Sequence, residues 1–369
     1  MKKPTSILFA IGIVLFALSL TIAPAQAEDT LEQGKYIATL AGCTSCHTPY
    51  KPEFSDPQKL TPDQIRVLAF DDQMATDYSR LMAGGRPFNL GPAGMVFTKN
   101  ITPDKATGIG GWTDEQILTA MKSGQDIDGS ILFPVMPYHV FNSMADADAQ
   151  AVVAYIRSAQ PVNNQVPPST VSKEGLKPFP YTTGIVAPDA SDKAARGAYL
   201  VNSVMACTDC HTPIDPATGA PQMDKYLAGG QPYEGPWGIV YGGNITPDEE
   251  TGLGSWTETE IKRALVTGIS RDGRRLILMP WFAYSALTPE DADAVAYYLK
   301  NGLPAVSNQV PTASLNPDFI VMSPDAPTAE TQKDTGSEFL KQPIALVVIG
   351  LLVIAVISGL MFLVRRRSA

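Results

Sequence analysis

The chain has 369 residues, of which 44% are hydrophobic and 18% charged, and its formal net charge is −9. This length is enough for about two or three domains of ordinary size. The acidic balance argues against a nucleic-acid partner and against binding to an anionic lipid surface. It favours protein partners that present a basic face.

The first 27 residues have the pattern of a secretory signal peptide. Two lysines near the start precede an apolar run over 7–22, and Ala-Gln-Ala at 25–27 supplies the small residues of a cleavage site. This order of charge, apolar core and small residues predicts cleavage before Glu28 and export of the mature chain. The alternative is an uncleaved N-terminal anchor.

A second apolar block, residues 344–364, contains no charged side chain. About 20 apolar residues span a bilayer as a helix, so the block predicts a transmembrane helix. Three arginines in the tail that follows, 365–369, predict that this tail is cytoplasmic. The two ends together predict a single-pass protein of the inner (cytoplasmic) membrane whose main part lies on the periplasmic side.

All four cysteines and two of the three histidines lie in two copies of one short pattern, CTSCH at 43–47 and CTDCH at 207–211. Cysteines of an exported chain ordinarily form disulfides. A bridge between cysteines three positions apart is strained, however, and it leaves the histidines unexplained. A redox dithiol or half of a zinc site likewise needs no histidine at that one position.

C-x-x-C-H is the attachment signature of c-type haem, in which the two thiols bind the vinyl groups and the histidine is the proximal iron ligand. The sequence therefore predicts two covalently bound haem c groups. Their attachment residues are Cys43, Cys46 and His47 in the first copy and Cys207, Cys210 and His211 in the second.

The two patterns belong to a longer internal repeat. NITPDKATGIGGW at 100–112 matches NITPDEETGLGSW at 244–256, and both copies close with NQVP. The repeat predicts domain 1 at 28–165 and domain 2 at 193–312, joined by a Pro-rich, extended linker at 166–192. Residues 313–343, poor in periodic apolar positions, are predicted to form a flexible linker before the apolar block.

The first copy is longer than the second. Cys43 and Asn100 are 57 residues apart, whereas Cys207 and Asn244 are 37 residues apart. The difference predicts a 20-residue insertion in domain 1, within residues 50–82, and the sequence indicates no role for it.

The repeat also selects the sixth iron ligands among twelve methionines. A lone methionine is usually core filler, whereas an iron ligand should recur at the same position in both copies. Met136 and Met279 coincide, and each is followed by proline and an aromatic residue, so they are the predicted axial ligands. His139 is the rival in domain 1. Its counterpart is Phe282, so we interpret His139 as a pocket or surface residue.

The remaining patterns predict an all-α fold. Short helices should lead into the two cysteine motifs, and Thr113 and Thr257 each begin a capping-box sequence. Each domain should close with a helix, the second of them capped by Thr288 with proline at its first position. No stretch alternates with period two for long, so no sheet is expected, and the haem should serve as much of the core.

These motifs resemble class I cytochrome c domains of the type found in c-type subunits of membrane-bound alcohol and gluconate dehydrogenases. The resemblance covers essentially the whole predicted exported region. It rests on the two CTxCHTP stretches, on NITPDxxTGxGxWTxxxI and on the late Met-Pro-aromatic stretches. It implies two tandem class I domains with the haem ligands named above, whereas the family's subunits usually carry three such domains.

Ligation by histidine and methionine leaves no iron position open for a substrate, which favours electron transfer over catalysis. We therefore expect a membrane-anchored periplasmic electron carrier without catalytic residues. Its expected partners are redox proteins: a periplasmic or membrane dehydrogenase or a quinol-oxidising complex as donor, and a terminal oxidase or a small cytochrome as acceptor.

The alternative is a dihaem redox enzyme, either a peroxidase or a thiosulfate-oxidising cytochrome. A peroxidase usually needs an additional histidine, and only His139 is spare. A thiosulfate-oxidising site usually needs a spare cysteine, and none remains. Both absences favour the electron carrier.

Overall fold

The computed structural model describes residues 28–57, 59–217 and 219–316, and these belong to one unit of tertiary contacts. The predicted signal peptide at 1–27, the apolar block at 344–364 and the basic tail at 365–369 lie outside the described residues. We call residues 28–165 the first repeat and residues 193–312 the second repeat.

The predicted membrane attachment is corrected by the structure. Within the described ranges, every helix is too short or too polar to cross a membrane. The prediction of a single-pass inner-membrane protein held by a C-terminal helix is therefore not supported, and the block that prompted it lies outside those ranges.

The two repeats present their elements in the same order. The first contains α1 (28–40), α2 (Cys43–Cys46), α3 (Pro62–Phe70), β1 (Pro87–Asn89), β2 (Met95–Phe97), α4 (Asp114–Ser123), α5 (Tyr138–Phe141) and α6 (Asp146–Ser158). The second contains α7 (Lys193–Tyr199), α8 (Cys207–His211), β3 (Pro232–Gly235), β4 (Gly238–Tyr241), α9 (Glu258–Thr267), α10 (Trp281–Tyr284) and α11 (Pro289–Tyr297). Among the α-helices and strands of these described residues, α3 is the one without a counterpart, and it lies in the range of the predicted insertion.

Two small antiparallel sheets show that the all-α prediction is wrong. β1 pairs with β2, with Phe88 opposite Val96, and β3 pairs with β4, with Tyr233 opposite Val240. A further strand, β5 (Ser314–Leu315), pairs with β4 at the start of the predicted second linker. Each strand has at most four residues, which is too short for an alternating pattern to be recognised in the sequence.

The helix starts follow the sequence signals. The side chains of Thr113 and Thr257 accept hydrogen bonds from the backbone N–H groups of Gln116 and Glu260, whose side chains accept from the backbone N–H groups of the two threonines. The side chain of Thr288 caps α11 by accepting a hydrogen bond from the backbone N–H group of Asp291. These three predictions are confirmed.

The first and last long helices of each repeat cross at a glycine. A Cβ atom on Gly34 of α1 would lie 1.9 Å from the carbonyl oxygen of Ala151 in α6. In the second repeat, a Cβ on Gly197 of α7 would lie 2.1 Å from the carbonyl oxygen of Ala294 in α11. Only glycine permits this approach. The crossing therefore fixes the position of the helix that leads into each cysteine motif.

The second repeat has one extra residue between this glycine and its first cysteine. Gly34 precedes Cys43 by nine positions, and Gly197 precedes Cys207 by ten. Directly after α7, residues Leu200–Val204 form a π-helix. A π-helical turn includes one residue more than an α-helical turn, so this turn accommodates the extra residue of the second repeat.

The two repeats share one hydrophobic core. Ile37 and Val152 of the first repeat and Leu200 and Val295 of the second are fully buried in a single cluster of side chains. The repeats are therefore packed against each other through apolar side chains.

Two matching hydrogen-bond systems join the repeats at the edge of this core. Tyr36 donates its hydroxyl proton to Oδ2 of Asp291 over 2.6 Å, and its repeat equivalent Tyr199 donates to Oδ2 of Asp148 over 2.5 Å. Both aspartates are buried. Each carboxylate thus accepts a hydrogen bond from the opposite repeat.

Each of these aspartates is also held from within its own repeat. Gln33 Nε2 donates to Asp148 over 2.9 Å, and Arg196 donates to both carboxylate oxygens of Asp291 over 2.8 Å. Burial acts to raise the pKa of Asp291, but the hydrogen bonds from Arg196 and Tyr36 outweigh it and lower that pKa below its ordinary value. Asp291 is therefore an ionised, buried carboxylate.

The predicted first linker, 166–192, contains no helix or strand over its whole length, all of which the structure describes. It hydrogen-bonds along the surface of the first repeat. The backbone N–H of Thr170 donates to the carbonyl of Met95 over 2.8 Å, and that of Phe179 donates to the carbonyl of Ser123 over 2.9 Å. This linker is therefore fixed along its path by the first repeat.

Candidate haem-binding sites

All five residues of the second Cys-x-x-Cys-His motif lie on α8, whereas α2 holds the first four residues of the first motif and His47 is its C-cap. A residue with left-handed backbone precedes each motif, Gly42 with φ 76° and Ala206 with φ 52°. This conformation turns the chain sharply out of the preceding helix, so the motif starts a new helical segment.

All four cysteines are free thiols. Cys43 and Cys207 are buried, whereas Cys46 is exposed and Cys210 half-buried. Burial raises the pKa of Cys43 and of Cys207 to about 12, which keeps both groups protonated. The four side chains are therefore available for thioether bonds, and the structure has no 43–46 disulfide.

The histidine of each motif is held in one tautomer. Nδ1 of His47 lies 2.8 Å from the carbonyl oxygen of Lys99, and Nδ1 of His211 lies 2.7 Å from that of Gly243. A carbonyl oxygen only accepts, so Nδ1 carries the proton and Nε2 keeps its lone pair. Burial lowers the pKa of both imidazoles, which keeps them neutral. This is the form in which histidine ligates a metal.

The two carbonyl groups belong to the residues just before the NITPD stretches. Asn100 donates to the carbonyl of Val162 over 2.8 Å, and Asn244 donates to that of Val306 over 2.8 Å. Both asparagines are buried. These stretches therefore act as scaffolding, because each directly follows the carbonyl group that orients the histidine of its repeat. Sequence reasoning missed Lys99 and Gly243, although their matching place in the repeat was the available signal.

Met136 and Met279 lie at equivalent places, in the loops that precede α5 and α10. Both side chains are half-buried and pack against the core cluster. The carbonyl of each accepts a hydrogen bond over 2.8 Å from the backbone N–H two residues later. Met121 and Met144, whose repeat equivalents are leucines, are buried in the core instead. Iron ligation by Met136 and Met279 stays a prediction.

His139 is engaged at the boundary between the repeats. Its Nε2 lies 2.8 Å from Oδ1 of Asp209, which stands between the two cysteines of the second motif. The His139 ring also packs against the rings of Tyr138 and Phe179. Sequence reasoning did not find this partner, because the two residues are 70 positions apart and the pair has no counterpart in the repeat.

A buried ion pair distinguishes the first site from the second. The guanidinium of Arg86 donates to Oδ2 of Asp72 over 2.6 Å and to Oγ1 of Thr76 over 2.7 Å, and it lies 4.1 Å from the ring centre of Tyr50. Asp72 and Thr76 both lie within residues 50–82, the range that contains the predicted insertion. The repeat equivalent of Arg86 is Gln231, so the second site has no such cation.

The donor set suits haem iron. Each repeat offers two thiols for covalent attachment, a neutral imidazole with a free Nε2 and a half-buried thioether. In the ranges that the structure describes, no three His, Cys, Asp or Glu side chains form a group able to hold a bare metal ion.

Comparison with known proteins gives several relatives that are cytochrome c proteins or cytochrome subunits of dehydrogenases, although no family model matches. The chain is 29% identical over 289 residues to the fructose dehydrogenase cytochrome subunit of Gluconobacter japonicus, covering 73% of this chain and 51% of that one. It is 28% identical over 326 residues to the cytochrome c subunit of the quinone alcohol dehydrogenase of Gluconobacter oxydans (strain 621H), covering 83% and 61%. It is 27% identical over 294 residues to a diheme cytochrome c-type protein of Cereibacter sphaeroides, covering 74% and 86%.

These similarities confirm the resemblance to cytochrome c subunits of membrane-bound dehydrogenases. They support a cytochrome's role in electron transfer, with covalently bound haem c. The chain spans 51% and 61% of the length of the two dehydrogenase subunits described above.

Proposed function

We propose that this chain is a dihaem cytochrome c that carries electrons from a dehydrogenase or a quinol-oxidising complex to a terminal acceptor. The observation that supports the proposal is the duplicated site. Each repeat brings a Cys-x-x-Cys-His helix, a histidine with Nδ1 tied to a carbonyl and a half-buried methionine to equivalent positions.

The proposed roles follow the repeat. Cys43 and Cys46 bind the first haem and Cys207 and Cys210 the second, with His47 and Met136, and His211 and Met279, as the axial ligand pairs. When bound, the haem supplies one-electron oxidation and reduction. The chain's own part is to orient each imidazole through its Nδ1 hydrogen bond, keep it neutral and shield the group from water. A methionine ligand raises the potential of the iron.

The proposed donor is a dehydrogenase. Relatives of this chain are cytochrome subunits of fructose, alcohol and gluconate dehydrogenases. The net charge of −9 favours a donor and an acceptor that each present a basic docking face. A terminal oxidase or a small cytochrome is the proposed acceptor.

The peroxidase alternative would need a further histidine beside one iron. His139 is the only one left, and its Nε2 already lies 2.8 Å from Asp209. The contact argues for the electron carrier.

Intact-mass spectrometry and a redox titration of the purified holoprotein test the proposal. We expect two covalent haem additions per chain and two one-electron transitions. The double variant Cys207→Ser/Cys210→Ser should keep one haem addition and one transition, and the matched pair at 43 and 46 should keep the other. A chain with fewer than two haems would contradict the proposal, and so would failure to accept electrons from any co-purifying dehydrogenase.

A further inference from the structure

The insertion of the first repeat contacts the methionine loop of the second repeat. The backbone N–H of Leu278 donates to the carbonyl oxygen of Ala69 over 2.9 Å. The indole N–H of Trp281 donates to the carbonyl oxygen of Phe70 over 2.9 Å. These two donors stand one residue before Met279 and two residues after it, so the contacts flank the proposed axial ligand.

Both acceptors belong to the last turn of α3. The last four carbonyl groups of an α-helix have no partner within the helix and need donors from elsewhere. Ala69 and Phe70 are the last two residues of α3, and Ala69 is buried. Leu278, in the loop of Met279, and Trp281, the first residue of α10, supply donors to these two carbonyl groups. The carbonyl groups at the end of α3 and the N–H groups beside Met279 therefore satisfy each other's hydrogen-bonding capacity.

Leu278 also has a backbone conformation that its side chain disfavours, with φ 62°. Such a conformation persists in a non-glycine residue only where the surroundings fix it. The backbone N–H group of Leu278 donates its hydrogen bond to Ala69 of α3. The contact with the insertion is therefore the visible constraint on the residue that precedes Met279.

The first repeat does without this support. Val135, the equivalent of Leu278, is 36% exposed and has no left-handed backbone. The N–H of Met136 donates to the carbonyl of Phe133 in its own loop over 3.0 Å. The loop of Met136 is thus held by a hydrogen bond within the loop itself. The loop of Met279 is held by hydrogen bonds to α3, a helix of the other repeat.

We propose that α3 positions Met279 at the second haem iron, with Leu278 and Trp281 as the positioning residues through which it acts. The insertion would then have a role in the site of the opposite repeat, and methionine ligation of the second haem would depend on the first repeat. This inference rests on the proposed function, because it takes Met279 as the axial ligand.

The test uses the full-length holoprotein and added imidazole, which competes with methionine for ferric iron. In the reduced state each methionine ligand gives an upfield-shifted methyl signal in the proton NMR spectrum, assigned with Met136→Ala and Met279→Ala. Trp281→Phe removes the indole donor and keeps an aromatic ring. Losing one hydrogen bond should increase imidazole affinity at the second haem about fivefold, because the methionine loop opens more often. The affinity at the first haem should not change.

Three further variants distinguish a role of these hydrogen bonds from a general loosening of the protein. Thr61→Ala removes the cap of α3 and leaves the methionine loop untouched. It should also raise imidazole affinity at the second haem alone. Thr113→Ala removes the equivalent kind of cap from α4, which packs against α5 of the first repeat, and it should act at the first haem alone. Tyr138→Phe, at the position equivalent to Trp281, should leave the second haem unchanged.

The outcomes distinguish the two proposals. Two methyl signals with unchanged imidazole affinity in both Trp281→Phe and Thr61→Ala would overturn the positioning role and leave the dihaem function intact. An equal rise at both haems would also overturn it. Absence of the Met279 signal from the unaltered protein would instead contradict the proposed ligand set.

Discussion

Nε2 of His139 lies 2.8 Å from Oδ1 of Asp209, and this contact joins α5, the helix directly after the loop of Met136, to α8, the proposed haem-attachment helix of the second repeat. His139 follows Met136 by three positions, and Asp209 lies between Cys207 and Cys210. The two proposed haem sites therefore meet at this pair. Asp209 is the hydrogen-bond partner of the His139 imidazole.

His139→Ala should leave both haems low-spin with their methionine ligands, because the histidine is a partner of Asp209 and the repeat gives it no ligand role. About one third of each side chain is exposed, so loss of the pair should lower the free energy of unfolding by at most about 1 kcal/mol. Electron paramagnetic resonance of the oxidised protein and urea denaturation check the two parts. Disappearance of one low-spin signal would identify His139 as a ligand.

Met136→Ala and Met279→Ala should each remove the thioether–iron charge-transfer band of one haem and lower the potential of that haem, because a neutral soft ligand is lost. Absorption spectra and a potentiometric titration measure both effects. Met144→Leu is the matched control, since Met144 is buried in the core and its repeat equivalent is a leucine. It should leave both bands and both potentials in place.

Asp291→Asn should destabilise the fold by about 3 kcal/mol near neutral pH, because Arg196 and Tyr36 lose the charge that pairs with them in a buried site. The pKa of Asp291 is lowered by folding, so its contribution is present above the ordinary aspartate pKa and disappears as the pH falls through the folded-state pKa. The difference between the two proteins should therefore shrink in acid.

Urea denaturation at several pH values measures this difference. Asp224→Asn is the control, since Asp224 is an exposed carboxylate of the same repeat. It should give curves close to those of the unaltered protein at every pH. A loss of stability at Asp291→Asn that stayed constant down to strong acid would show that the charge of Asp291 does not matter.

Gly34→Ala should cost about 3 kcal/mol of stability, because the new methyl group would lie 1.9 Å from the carbonyl oxygen of Ala151 and force α1 away from α6. Gly111→Ala adds a methyl group that meets no atom within 4 Å and serves as the control. Thermal unfolding of both holoproteins gives the comparison. If the two variants unfolded at the same temperature, the helix crossing would not have the tight geometry described.

Much of the local structure could be predicted from the sequence, since its causes are local. Thr113, Thr257 and Thr288 signal their helix starts within a few residues, and the repeat places Met136 and Met279 at matching loop positions. The strands were missed because three or four residues give no recognisable alternation.

The contacts between the repeats could not be predicted, because nothing in the sequence shows which distant residues meet. His139 pairs with Asp209 across 70 positions, and Trp281 contacts Phe70 across 211. The sequence revealed the insertion by its length alone. Its place against the second methionine loop depends on how the shared core sets the two repeats together.

The tyrosine–aspartate contacts between the repeats have a consequence for the origin of the chain. Tyr36 meets Asp291 as Tyr199 meets Asp148, and the same hydroxyl oxygens accept from the backbone N–H groups of Thr288 and Ala145. An interface in which each partner uses the same two surfaces is the isologous interface of a two-fold homodimer. Duplication and fusion of the gene for a self-associating single-haem cytochrome would produce this arrangement, with the two subunits of the ancestral dimer retained in one polypeptide.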